Sequence, residues 1–248
     1  MLRPLALAAL LGAFVLPASA ETVGGPEEYR ICLTLAKQKP EQGWEEALAW
    51  QSLGGGEAAR HCAAVALIGL GKYGEAATRL ETLANESVRE DGMRAEMLAQ
   101  AAQAWILEGN VQRADAAQRA ALVLSPGDPD LLLDQAVLLA QLGHYRDAAA
   151  TLSAVLRVQP NRVEALTLRG TALRYLDDLP GARDDIARAL DLDPDFPDAL
   201  LERGILHRLA GEDAAAREDW LKAMDLAPES PAADAARGNL EKLDVKSR

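Results

Sequence analysis

The side chains best able to do chemistry in this sequence are few: two cysteines, Cys32 and Cys62, and three histidines, His61, His144 and His207. A nucleophile and its base must converge within hydrogen-bond reach. His61 and Cys62 are adjacent in sequence, and side chains at i and i+1 on a helix do not face each other, so they form no such pair. There is no C-x-x-C pair, and three scattered histidines fall short of a rich metal site. Gly54, Gly55 and Gly56 lack the following Lys-Ser/Thr and the preceding strand of a phosphate loop, and read instead as a hinge between two units. The expectation is therefore no catalytic residue, no metal and no cofactor. With 26 Lys+Arg against 38 Asp+Glu, the formal net charge of −12 repels phosphate backbones and anionic lipid, which excludes nucleic acid as a main partner.

The elements that carry these residues follow from composition and period. A chain of 248 residues can bury a sizeable core. Its content is 49% hydrophobic but only 4% aromatic, and about a fifth is alanine, which suits helices packed closely through small side chains. Pro126, Pro160, Pro194 and Pro228 stand 34 residues apart, as do Ala114, Ala148, Ala182 and Ala216. The same step links Leu98, Leu132, Leu166 and Leu200, the small residues Ala102, Ala136, Gly170 and Gly204, and the series Gly109, Gly143, Asp177 and Gly211. Apolar spacings of three and four on each side of the glycine column predict a pair of helices per unit. The glycine ends the first helix in the left-handed conformation and the proline stops the second. Asp128-Pro129, Asn161 with Glu164, and Ser230-Pro231 read as caps opening the next helix.

These columns resemble the tetratricopeptide repeat, whose 34-residue helix-turn-helix unit carries apolar, small, glycine, alanine, alanine and proline positions in that order. In the unit 163–196 they are Leu166, Gly170, Asp177, Ala182, Ala189 and Pro194, with Asp177 standing where glycine is usual. The likeness extends back through Leu70 to Ala77, which parallels Leu142 to Ala149, and about four extra residues fall near Asn85 to Gly92. A weaker unit begins near Glu27, with Trp44 in the place of Tyr73 and Ala47 in the place of Ala76. The resemblance implies an all-α fold: a right-handed superhelical solenoid of about six such units plus a C-terminal capping helix. The expected divisions are a hairpin at 27–56, a unit with a short insertion at 57–94, and units at 95–128, 129–162, 163–196 and 197–229. A capping helix at 230–243 and a frayed tail at 244–248 complete the chain. Trp44, Trp50, Trp105 and Trp220 are expected in the core.

In this family the first helix of each unit lines a concave surface that commonly grips an extended peptide or a partner helix. Carried over by position, the groove here takes Val65 and Ile68, beside His61, then Gln103 and Ile106, beside Ala99. It continues through Leu133 and Val137, then Thr171, Arg174 and Tyr175, beside Thr167, and ends with Ile205 and Arg208. The Lys and Asn set that clamps a C-terminal carboxylate in chaperone-binding members is missing. Arg174 and Arg208 either hold a partner carboxylate, with Tyr175 beside them, or pair with neighbours such as Asp178 and Asp213. Glu96, Asp130, Glu164 and Asp198 form an acidic column that either attracts a basic partner or opposes the helix dipoles. Cys32 and Cys62 fall on the first helices of consecutive units at about the same height, which in an oxidising compartment favours a disulfide, with two buried thiols as the alternative.

Residues 1–20 read as a secretory signal peptide: Arg3, an apolar run from Leu5 to Leu16, and Ala18-Ser19-Ala20 before the cleavage point. The run is shorter than a membrane span and is followed by Pro17, so no stable membrane anchor is expected. Residues 21–26 read as a linker, and a periplasmic or secreted destination follows. The leading functional expectation is a non-catalytic exported scaffold binding a protein or peptide of unknown identity, as in periplasmic repeat proteins that serve cell-wall, secretion or cytochrome-assembly machines. The alternatives are a small-molecule-binding, metal-binding or enzyme-associated subunit, and a self-associating structural protein.

Overall fold

The computed structural model describes residues 25–246; the leader at 1–20, most of the linker and the last two residues lie outside it. Thirteen helices follow one another: α1 (Pro26–Gln38), α2 (Pro40–Ser52), α3 (Gly56–Gly69), α4 (Tyr73–Glu86), α5 (Asp91–Leu107), α6 (Val111–Leu124), α7 (Pro129–Gln141), α8 (Tyr145–Val158), α9 (Val163–Tyr175), α10 (Leu179–Leu192), α11 (Pro197–Ala210), α12 (Asp213–Leu226) and α13 (Pro231–Lys246). Successive pairs form hairpins, and α13 covers the end. Each hairpin exposes an apolar face that only the next hairpin can bury, so the second helix of each unit packs on the first helix of the next.

The alanine column sits at the helix crossings. Ala47, Ala76, Ala114, Ala148, Ala182 and Ala216 are all fully buried. The small column facing the second helices adjusts to what it meets. Ala136 shares a core with Leu152, but Gly170 meets Ile186 and Gly204 meets the Trp220 ring, where a Cβ would lie 2.7 Å from Cδ1. The side chain on one helix thus grows as its opposite shrinks, which keeps the interior filled. Trp50, Trp105 and Trp220 are buried, and Trp44 packs partly buried on the first hairpin's core.

The turns follow the glycine column, and Asp177 keeps its geometry with φ of 63°, the one positive φ outside glycine among the described residues. Two local expectations change. Asn161 does not cap α9; Arg162 holds that position, and Asn161 accepts a hydrogen bond from Arg188 instead. The capping helix, expected to end at 243, continues as α13 to Lys246, and Asp244 within it pairs with Arg217. Asp128 and Ser230 do cap, accepting bonds from the amides of Asp130 and Leu131 and of Ala233. The residues that break the 34-residue step lengthen α5 to 17 residues, where α7 and α9 have 13.

Candidate functional site

First helices meet across hairpins, closely for α1 on α3 and more loosely for α11 on α13, α9 on α11 and α7 on α9. The first helices therefore share one face of the stack, its inner face in a repeat solenoid. Along that inner face Val65, Ile68, Ile106, Leu133, Val137, Thr171 and Ile205 are half-buried, and Gln103 is exposed. One side of Ile68 and Ile106, of Leu133 and of Ile205 rests on the core between hairpins, leaving the other side open. Ala99 and Thr167 are buried instead of lining the face, and Thr167 spends its hydroxyl on the Val163 carbonyl.

The two groove arginines are already occupied. Arg174 donates two hydrogen bonds, at 2.7 and 3.0 Å, to Glu202 on α11 and not to Asp178, and both side chains are largely shielded from water. Arg208 pairs with Asp213 at 2.5 Å. Tyr175 is 54% exposed at its edge, but one ring face stacks on Tyr145, with centroids 4.2 Å apart, and the Arg174 guanidinium lies over the ring. Arg174 with Glu202 and Tyr175 with Tyr145 link neighbouring hairpins, Arg208 with Asp213 closes a single one, and both guanidinium groups are already paired with carboxylates. The partner Glu202 lies 28 residues from Arg174, so only the packing of α9 on α11 reveals it.

The inner face carries two cavities at its N-terminal end. A cavity of about 610 Å³ opens between α1, α3 and the added turn of α5. A second, of about 480 Å³, shares Leu33, His61 and Gln100 with it and gathers the expected residues Val65, Ile68 and Gln103. His61 on α3 joins three first helices: Tyr29 on α1 lies 2.7 Å from Nδ1, and Gln100 Oε1 on α5 lies 2.9 Å from Nε2. A carboxamide oxygen only accepts, so Nε2 carries the proton and Nδ1 accepts from the Tyr29 hydroxyl. Burial lowers the His61 pKa, overriding the opposing Gln100 bond, with Arg89 and Lys37 adding to the decrease. Burial likewise raises that of Tyr29.

Behind this bridge a disulfide joins Cys32 to Cys62, both buried. Glu57 at the cavity mouth accepts bonds from Ser87 and Arg89 at 2.9 Å each. Burial alone would raise the Glu57 pKa, but these bonds and the Arg89 charge hold it below its ordinary value. Sequence reasoning missed Tyr29, Leu33, Met93, Met97 and Gln100 as cavity residues. The first hairpin offered no groove column to extrapolate, and Met93 lies in the turn that breaks the repeat step. The i, i+4 pairs Tyr29 with Leu33 and Met93 with Met97 were the available signal.

Carboxylates dominate the edge of the face. Asp130 pairs with Arg162 at 2.6 Å and Glu164 lies 3.8 Å from the same guanidinium. Asp134 and Asp198 are held above their ordinary carboxyl range, chiefly by burial. Among the described residues no cluster of three His, Cys, Asp or Glu side chains suits a metal ion, and no helix is long and apolar enough to cross a membrane.

The family profile described as Tetratricopeptide repeat matches residues 133–185 and 167–231. The fold is similar to that of MamA, residues 41 to the end, from Desulfovibrio magneticus RS-1, with 22% identity, coverage of 75% of this chain and 97% of that one, and a TM-score of 0.58. It is also similar to YrrB, described as a TPR protein with an unusual peptide-binding site, at 19% identity over 77% of this chain and 96% of that one, TM-score 0.54. A third likeness is to the APC/C hetero-tetramer Cut9-Hcn1, at 14% identity over 86% of this chain and 45% of that one, TM-score 0.64. No curated protein matches the sequence. At such identities the likeness is one of fold.

Proposed function

We propose that this chain, a tetratricopeptide-repeat protein, is a non-catalytic scaffold of a bacterial envelope that binds a segment of another protein along its inner face. The observation that carries the reading is the set of half-buried apolar side chains Val65, Ile106, Val137 and Ile205 on the first helices α3, α5, α7 and α11, with the half-buried Thr171 of α9 between the last two. Val65, Ile106 and Ile205 pack on the cores between hairpins on one side, and with Val137 they leave apolar surface on the inner face beside an acidic edge. Such a surface suits an extended or helical segment laid along it. The peptide-binding site for which YrrB is described supports the reading on the same fold. Export rests on the leader at residues 1–20, with its apolar run and Ala-Ser-Ala end.

A photo-crosslinking residue at Val137 or Thr171, introduced in the native host, tests the groove. A discrete covalent adduct is expected at both positions and none at Val123, which is exposed on a second helix. Equal crosslinking at all three would refute an inner-face site. Osmotic-shock fractionation with N-terminal sequencing tests export: a chain starting at Glu21 in the periplasmic fraction is expected, and a cytosolic chain retaining Met1 would remove the envelope from the reading.

A further inference from the structure

We propose that the cavity between α1, α3 and the added turn of α5 is the anchoring subsite of this groove, and that it takes a bulky apolar side chain from a partner segment carrying a lysine or arginine beside it. The inference rests on the groove reading above and names the partner chemistry of its N-terminal end.

Size and shape come first. At about 610 Å³ the cavity falls in the range of roughly 300–1,000 Å³ that holds ligands, and the neighbouring cavity of about 480 Å³ continues it toward Val65 and Ile68. Its walls are apolar: Pro26, Leu33, Ala58, Met93, Met97 and the Tyr29 ring. Methionine is unbranched and polarizable, so two methionines one helical turn apart can adapt to side chains of differing shape.

The polar groups at its base make no demand on a ligand. Both ring nitrogens of His61 are engaged, by Tyr29 and Gln100, and burial favours the neutral ring. A polar anchor seated at the base would have to break that bridge to be satisfied, whereas an apolar anchor leaves it intact.

Charge is settled at the mouth. Arg89 is engaged by Glu57, while Glu96 is exposed and makes no ion pair among the described residues. Lys37 lines the second cavity and not the first. The mouth of the first cavity is therefore net negative, and the edge continues through Asp130, Glu164 and Asp198 with only Arg162 to offset them. A cationic residue next to the apolar anchor meets Glu96 directly.

The walls are also held in place before binding. The Cys32–Cys62 bridge fixes α1 to α3, and the Tyr29–His61–Gln100 chain ties both to α5. A site fixed in advance loses less freedom when occupied. The feature is peculiar to this end of the stack, since Met93 stands on the turn by which α5 exceeds α7 and α9.

The test pans a phage-displayed library of random dodecapeptides against the full chain, then measures fluorescein-labelled enriched peptides by anisotropy. The proteins are the wild type, Met93→Lys, Glu96→Lys and Val137→Asp. Met93 is 39% exposed and Glu96 lies at the surface, so neither change threatens folding, which circular dichroism would verify. Enriched peptides should share a bulky apolar residue next to Lys or Arg. Met93→Lys should weaken them by about tenfold or more, as for a central contact residue. Glu96→Lys should weaken them several-fold and remove most of the salt dependence.

Peptides weakened by Val137→Asp but by neither cavity variant would overturn the anchoring subsite and leave the groove standing. An acidic consensus would overturn the charge assignment. Failure to enrich any peptide, or peptides indifferent to all three changes, would overturn both readings. A dimer of the free chain that Met93→Lys dissociates would give the cavity to a second copy and overturn the proposal.

Discussion

Breaking the Cys32–Cys62 bridge should loosen one end of the molecule and leave the other untouched. The bridge spans a sequence separation of 30, for which loop-closure entropy gives a stabilisation of about 3.7 kcal/mol at room temperature. In a globular domain that loss would be shared by the whole fold. Here α1 packs chiefly on its immediate neighbours α2 and α3, so the loss falls on the docking of the first hairpin. That docking has little else to draw on, because its core consists mainly of alanines, with Trp50 as the large buried side chain. Local opening of residues 26–52 should therefore become several-hundred-fold more frequent. Hydrogen exchange with mass spectrometry, on the oxidised chain and on the same chain reduced under mild denaturant, reads this directly. Protection should fall across α1 and α2 and stay within about twofold across α9 to α12. Since α1 supplies Tyr29 and Leu33 to the cavity, peptide binding there should fall in parallel. Equal loss of protection along the whole stack, or none in α1, would refute a nearest-neighbour account of its stability.

Other changes report on packing, turn geometry and titration. Gly204→Ala drives a methyl group into the Trp220 ring and should cost about 1–3 kcal/mol in urea denaturation, with Trp220→Leu in the same chain recovering part of the loss; an unchanged midpoint would refute the close fit. Asp177→Gly relieves a left-handed non-glycine residue and should raise stability by about 1 kcal/mol, and a loss would show that the Asp177 side chain contributes more than its backbone costs. His61 is held below its ordinary pKa of 6.5 by burial, so the unfolded chain takes up the proton first. Its contribution is complete above about pH 6.5 and declines as the pH falls below that value. His61→Gln should therefore show a smaller loss of stability between pH 7.5 and 5.5 than the wild type, and an identical pH dependence would exclude His61 as its source.

The repeat was legible in sequence because it is a local property written several times over. Each of Ala114, Ala148, Ala182 and Ala216 meets the same crossing, and one misplaced residue would not hide the period. Asp177 illustrates the limit in the favourable direction: the position dictated left-handed backbone, and the structure holds it so without glycine. The groove was half legible. Carrying positions from unit to unit placed Val65, Ile68, Gln103 and the later apolar residues on the inner face, but it left the partner of Arg174 open and offered Asp178 where the structure has Glu202.

The sequence by itself determined the helices, their pairing into hairpins, the order of stacking and the cysteine positions, since each depends on neighbours within one or two repeat lengths. Tertiary structure alone decided which side chains are spent on one another. Glu202 takes Arg174, and His61 joins Tyr29 to Gln100, because stacking the hairpins brings atoms far apart in sequence within hydrogen-bond distance. The cavity has the same origin. It exists where one extra turn of α5 interrupts the regular step, and a periodic pattern carries no information about the place where its own period fails.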